Sequence, residues 1–438
     1  LSQFGMRVRR NNWSEPGAAS ALLWLAIDDH KGNPRRQHAL PPALYSDAIA
    51  PFLHFDMPLP NQLYVIGGRN QQQGPLDTVE LFDTWHGRWV TCPNMSMCRA
   101  GCGAAVLPDW CIMVTGGYDE NGIVKGLLAS CEIFNPWTQT WSSAVAPLQH
   151  ARWGHGCTSL RGLVYAVGGC SLRPGAPPRE SFMETLKSCE VYDPAEDVWL
   201  KGADLHMARA GSRVVAIGEN LLAAVGGCDD VFGRAEMLPT VEIFDAIAGR
   251  WSLLDAPLSM PRTTAAVAVI EERHILVVGG APSLSTSEVY RVPDSPNGAS
   301  RLDDEATSAA DSPASHSPAT MAVHDDTSVT VAAHISNISE GRMGCQAAAL
   351  KLPAPGSRYP MCTRTSVVIV GGENGEEDWE GNQAHVRQFG SILVYDTEGR
   401  AWRPEMEFPL MLMPRTAMAL CVGHGQIRGH SHTHRNRF

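Results

Sequence analysis

Short apolar runs that end in Gly-Gly recur six times along the chain. They occupy residues 63–68 (LYVIGG), 112–117 (IMVTGG), 164–169 (VYAVGG), 222–227 (LAAVGG), 275–280 (ILVVGG) and 367–372 (VVIVGG). The first glycines are Gly67, Gly116, Gly168, Gly226, Gly279 and Gly371, so the spacing runs 49, 52, 58 and 53 residues and then stretches to 92. After each doublet comes a short alternating segment with an aromatic residue: Phe82, Phe134, Tyr192, Phe244, Tyr290 and Tyr395. Seven residues later stands Trp89, Trp141, Trp199, Trp251 or Trp402; after Tyr290 that slot holds Asn297. Ten to thirteen residues beyond each tryptophan is an arginine (Arg99, Arg152, Arg209, Arg262 and Arg415), with Arg342 filling the slot after the broken copy. A run of small or apolar residues then leads to the next doublet.

Alternation with period two, β-branched and aromatic content, and Asp/Asn/Gly/Pro punctuation predict four short strands per repeat. We call them a (after the arginine), b (ending in Gly-Gly), c (holding Phe or Tyr) and d (opening with Trp). The glycines suit a sharp exit from strand b, where a positive φ or a close backbone approach excludes a Cβ. The paired aromatics are large enough to fill the wedge between neighbouring four-stranded sheets. A repeat near fifty residues selects a propeller over most solenoids.

Doublet glycine, aromatic and tryptophan at these offsets resemble the kelch repeat, over residues 60–423. Six such repeats imply an all-β fold, a six-bladed kelch β-propeller spanning residues 59–424. Nothing before residue 62 looks like a strand a, whereas residues 413–422 (MPRTAMALCV) form a complete one with no doublet after it. The C-terminal strand is therefore expected to pair with residues 63–66 and close the ring, leaving no open sheet edge.

Outside the repeats, residues 1–58 form an N-terminal segment with a short helix expected at residues 18–27 (AASALLWLAI). Trp24, Asp28, Arg35, Leu40 and Leu44 give this stretch a likeness to the end of a BACK domain, the helical linker between BTB and kelch parts. A plain N-terminal helix packed on the propeller is the alternative. Residues 293–326 are rich in Ser, Ala, Pro and Asp and are expected to be a disordered insertion. Residues 327–334 resume alternation and read as a late strand d. Blade six carries an extended a–b connection at residues 351–365. Residues 425–438 are a basic tail with His430, His432 and His434.

Composition narrows the function. A net charge of −11 argues against nucleic acid as partner. No apolar run reaches the length of a membrane span. The twelve cysteines show no Cys-x-x-Cys spacing, so no zinc site is nominated, and many fall in repeat-equivalent slots expected to be buried. That usage points to a reducing compartment, cytoplasmic or nuclear.

The start of strand a and the end of strand b share one rim, and strand a is innermost. Arg99, Arg152, Arg209, Arg262, Arg342 and Arg415 are thus expected around the mouth of the central channel. Arg69, Tyr118, Cys170, Cys228, Ala281 and Glu373 directly follow the doublets on the same face, and Trp153 and His155 flank Arg152. An arginine ring could hold carboxylates or phosphate through planar bidentate bonds. Equally, an arginine present in every blade could be scaffold, bonded to loop carbonyls of the next blade.

Kelch-like adaptors use arginines and post-doublet tyrosines on this face to hold acidic or phospho-type peptide motifs. The resemblance carries that role to the six arginines and Tyr118. It implies a protein-binding module, the substrate-recognition subunit of a cullin-RING ubiquitin ligase. The cullin would be reached only through a BTB domain, which these residues do not supply. The chain begins at Leu1 rather than Met, which leaves room for an upstream domain.

The alternatives are an actin-binding or scaffold kelch protein and, less favoured, a propeller enzyme acting on sugars. Copper oxidation of sugars needs paired His and Tyr ligands at the channel mouth, and no such set is present. There is no Gly-x-Ser-x-Gly, P-loop or His-Glu-x-x-His motif. The expectation is therefore no enzyme, no cofactor and no metal.

Overall fold

The structure, a computed structural model, describes residues 59–84, 86–232, 236–271, 273–293, 334–354, 363–375, 386–404 and 407–425. The expected N-terminal helix, the body of the 293–326 insertion and the basic tail lie outside them.

The described residues form six four-stranded antiparallel sheets, each in the order a-b-c-d. Blade 2 is Gly103–Val106, Ile112–Thr115, Cys131–Asn135 and Thr140–Ser142. Blade 3 is Gly156–Leu160, Leu163–Val167, Cys189–Asp193 and Val198–Lys201. Blade 4 is Arg213–Ile217, Leu221–Val225, Val241–Asp245 and Arg250–Leu253. Each strand a packs against the strands a of both neighbouring blades, so these six strands surround the axis.

Blade 1 is completed by the C-terminus. Its strand a is Ala419–Gly425, and its strand b is Leu59–Ile66. Leu63 pairs with Val422 and Ile66 with Ala419. The ring closes as the sequence predicts.

Blade 5 has strands a to c at Ala266–Glu271, His274–Val278 and Ser287–Arg291. Among the described residues its strand d is His334–Ile335, paired with Ser287 and Glu288. Of the late strand expected at residues 327–334, His334 falls in it and the rest lies outside the described residues. Blade 6 also differs from expectation. Its strands a and b run long, Gln346–Pro353 and Thr363–Val370, and pair as far as Pro353 with Thr363. The two ends of the expected connection, residues 351–353 and 363–365, are therefore paired strand.

Between blades the core is apolar and layered. Strand c aromatics meet strand d tryptophans with ring centroids about 5 Å apart, as in Phe82–Trp89 (5.2 Å) and Phe244–Trp251 (5.3 Å). Each strand d indole also donates to a carbonyl of the preceding blade's d–a connection, at 2.8–3.1 Å: Trp89 to Pro409, Trp141 to Pro93, Trp199 to Ala146, Trp251 to Ala203 and Trp402 to Ser336. The tryptophan is both wedge and stitch.

The doublet has a double cause. At Gly67-Gly68 both residues have positive φ, 58° and 91°. A Cβ on Gly67 would stand 2.5 Å from the Arg99 carbonyl oxygen, inside any allowed contact. That carbonyl accepts from Gly68 N at 2.8 Å, linking blade 1 to blade 2. The same bond recurs from Gly117, Gly169, Gly227, Gly280 and Gly372 to the next arginine's carbonyl.

Candidate partner-binding face

The six repeat arginines do not line the channel mouth. Arg99, Arg152, Arg209, Arg342 and Arg415 are 0 % exposed and Arg262 is 2 %. Each guanidinium turns into its own blade. Arg209 shows the pattern: Nη1 donates to the carbonyls of Gly226 (2.8 Å) and Thr240 (3.0 Å), and Nε and Nη2 donate to Glu242 Oε1 (3.1 and 2.8 Å). Partner contact through these side chains is therefore excluded by burial, and the scaffold reading of the ring is the one the geometry supports. The carbonyls belong to the arginine's own blade, not to the next one.

The acidic partner was missed in the sequence although its signal is plain. The second residue of strand c is Glu80, Glu132, Glu190, Glu242 or Glu288 in five blades. Each faces its blade's arginine, in pairs Arg415–Glu80, Arg99–Glu132, Arg152–Glu190, Arg209–Glu242 and Arg262–Glu288. The carboxylate also accepts backbone N–H groups of the d–a turn, as Glu242 does from His206 and Met207 (2.8 and 3.1 Å). Burial alone would raise the Glu242 carboxyl, but Arg209 and the His206 N–H hold it below the usual carboxylate range. In blade 6 Leu393 replaces the glutamate. There Arg342 lies 4.2 Å from the Phe389 ring centroid and 3.7 Å from Glu340.

His155 is likewise internal, 3 % exposed, with Nε2 2.8 Å from Thr115 Oγ1. Burial and the neighbouring Arg152 push its pKa down to about 3, so the ring is neutral near pH 7. The channel beside it is narrow. Arg213 reaches across to the carbonyls of Ala265 and Cys345, both at 3.1 Å. The void it bounds, with Cys102, His155, Cys157 and Gln346, is about 40 Å³, room for water rather than an organic ligand.

Of the predicted site residues, Arg69, Tyr118 and Trp153 reach the face. They stand in a ring of bridges: Arg69 opposite Thr416, Tyr118 opposite Ala100, Trp153 opposite Cys170. Arg69 is half exposed but bonded through Nη2 to Glu373 Oε1 at 2.9 Å. Gln388 donates to the second Glu373 oxygen at 3.2 Å. Arg387 is paired with Glu340 at 2.6 Å.

Over blades 2 to 4 the face carries an apolar cluster. Tyr118 and Trp153 meet edge to face at 5.9 Å, and Trp153 and Phe232 at 6.5 Å. Val124, Leu127, Leu172 and Val231 pack beside them over a buried base of Cys170, Met183 and Ala210. Phe232 was not singled out in the sequence, since its b–c loop carries no repeat signal. Two short strands, Cys170–Leu172 and Met183–Thr185, raise the blade 3 loop as a hairpin, and Val231 N donates to Thr185 Oγ1 at 3.2 Å to tie the blade 4 loop to it. Among the described residues no group of His, Cys, Asp and Glu is placed to hold a metal ion. No helix among them is long and apolar enough to cross a membrane.

A model of the kelch motif matches residues 59–96, 98–146 and 151–206. The chain is similar to Kelch-like protein 25 of Xenopus tropicalis, 29 % identical over 212 residues that cover 48 % of this chain and 33 % of the relative. It is 29 % identical to Kelch-like protein 36 of Rattus norvegicus over 254 residues, covering 54 % and 39 %. It is 25 % identical to beta-scruin of Limulus polyphemus over 304 residues, covering 66 % and 28 %. The chain thus matches about a third of the length of these curated relatives. Among solved structures, that of YjhT superposes with a TM-score of 0.51 at 13 % identity, covering 75 % of this chain and 88 % of that one. That likeness concerns the fold alone.

Proposed function

Because this chain is a kelch-repeat propeller homologous to the kelch-like proteins, we propose that it is a protein-binding module, and most specifically the substrate-recognition part of a cullin-RING ubiquitin ligase. The observation that supports it is the half-buried cluster of Tyr118, Trp153 and Phe232 on the loop face. A residue repeated in every blade serves the propeller. Trp153 stands where the other blades carry Ala100, Ala210, Thr263, Met343 and Thr416, so the propeller does not require it. Partly exposed aromatics set into a rigid face are the usual anchors of protein interfaces. Arg69, Tyr118 and Trp153 are the proposed partner contacts. A cullin would be met through a BTB domain and not through the propeller. The described cysteines are all free and mostly buried, which fits the proposed cytoplasmic or nuclear location.

No catalytic group is proposed. The second reading, an actin-binding or scaffold kelch protein, is kept by the beta-scruin match, which spans more of this chain than the two kelch-like matches above. One experiment separates the readings. The chain is captured from cells with and without inhibition of cullin activation. A captured partner that is itself ubiquitinated and accumulates under inhibition is expected. A chain that instead sediments with actin filaments, with no such partner, sinks the adaptor reading in favour of the second.

A further inference from the structure

Several cations of the loop face already have a carboxylate partner. The repeat arginines are buried, five of them on glutamates; Arg69 is held by Glu373 and Arg387 by Glu340. The described b–c loops of blades 2 to 4 are mixed in sign with carboxylates in excess: Asp119, Glu120, Glu180, Glu184, Asp229, Asp230 and Glu236 against Lys125, Arg173, Arg179 and Lys187, with Arg173 beside Glu184 at 3.5 Å. An acidic segment would meet net repulsion there and would have to displace an existing carboxylate from Arg69, Arg173 or Arg387. The excess of carboxylates thus disfavours an acidic ligand on this face.

What the face offers instead is apolar. Tyr118, Val124, Trp153, Leu172, Val231 and Phe232 are all partly exposed and come from the loops of three consecutive blades. Next to them the channel rim is bare backbone. Gly101, Gly154 and Gly211 follow one another around it, each with φ of 63–65° and no side chain. Trp153 also differs from the strand d tryptophans. Their indoles each donate to a carbonyl, whereas Trp153 Nε1 is buried without an acceptor. Its ring is held by apolar and ring contacts alone, not by a stitch between blades.

We infer that this face takes an uncharged protein segment with an aromatic or aliphatic anchor, seated against Trp153 between Tyr118 and Phe232. The inference rests on the protein-binding reading above and narrows it to a ligand class. Binding would follow apolar burial and shape, with little electrostatic steering.

The test uses the full chain against a random peptide library displayed on phage. Enriched peptides are expected to share an apolar anchor and to lack Asp and Glu. Their affinity should fall ~30-fold or more in Trp153→Ala, the loss typical of a central anchor. It should change less than ~3-fold in Arg69→Ala or on raising the ionic strength tenfold, as for contacts without free charge. Thermal melting of each variant is recorded in parallel. Should Trp153→Ala melt early, Phe232→Ser, on a loop, gives the same reading. Acidic peptides lost in Arg69→Ala would overturn the apolar ligand class while leaving a protein-binding face. Peptides indifferent to Trp153, Phe232 and Arg69 alike would move binding off this face and overturn the inference, again without touching the broader reading. No enrichment by wild type would overturn the inference, and the loss of all partners in cell capture as well would take the broader reading with it.

Discussion

Arg209 and Glu242 define what the repeat asks of single residues. Both are 0 % exposed, and the guanidinium satisfies two loop carbonyls as well as the carboxylate. Removing one member of a buried pair strands the other charge in a low-dielectric interior, whereas removing both can be nearly neutral. Arg209→Ala should therefore lower unfolding stability by about 3–5 kcal/mol. Arg209→Met with Glu242→Leu should recover part of it, but not all, because His206 N and Met207 N also lose their acceptor. Urea unfolding monitored by tryptophan fluorescence measures both. A single variant within ~0.5 kcal/mol of wild type, the range of ordinary surface changes, would refute the scaffold role. The spacing of these arginines was legible in the sequence. Their burial was not, since an arginine read alone says charge and exposure. The glutamate two residues before the strand c aromatic in five of the six blades would have given the answer, because a cation and an anion locked to the same repeat imply each other.

At the scale of the element, the strand c to strand d unit was the most legible part of the chain. Its period-two alternation and the fixed tryptophan offset give the strands directly. An Asp or Asn at the end of strand c turns the chain, as Asp193 Oδ1 accepting from Ala195 N at 2.9 Å and Asp245 Oδ1 from Ile247 N at 2.8 Å show. Blade 5 ends strand c with Arg291 and lacks that acceptor, and its described strand d is His334–Ile335. The b–c loops were the least legible. They share no repeat signal, and Phe232 meets Trp153 only after two blades are assembled. The tryptophan's two jobs can be separated in blade 4. Trp251 is 4 % exposed, packs on Phe244 and donates to Ala203. Trp251→Phe keeps a ring and loses the donor, at a cost of about 1 kcal/mol. Trp251→Ala also opens a cavity, at about 3–5 kcal/mol. Thermal unfolding ranks them, and equal losses would mean that the hydrogen bond, not the packing, carries the residue.

For the whole molecule, the sheet pairing of residues 63–66 with 419–422 is only one of two closures. A second runs through the backbone at the rim. Gly101 N donates to Ala417 O, Gly154 N to Gly101 O, Gly211 N to Gly154 O, Thr264 N to Gly211 O, Gly344 N to Thr264 O and Ala417 N to Gly344 O, all at 2.8–3.0 Å. The six bonds form a closed circle with one residue from each blade. All six residues have positive φ, and four are glycine; Thr264 at 55° and Ala417 at 52° adopt it against side-chain preference. The circle is invisible in a linear reading because its last bond joins residues 417 and 101, one from each end of the ring. Two substitutions at Ala417 should act in opposite directions. Ala417→Gly relieves the left-handed strain, offset in part by a freer unfolded chain, and should leave the melting temperature unchanged or slightly higher, within about 1 kcal/mol. Ala417→Pro removes the donor to Gly344 and cannot take a positive φ. It should open the circle where the two chain ends meet and cost about 3 kcal/mol or more. Hydrogen exchange should then show lost protection at Gly101 and at Ala419–Gly425 before the other blades, since a propeller opened at its seam frays from there. Uniform loss across all six blades would mean instead that the circle stabilises the ring as one cooperative unit and that the seam is no weaker than any other blade boundary.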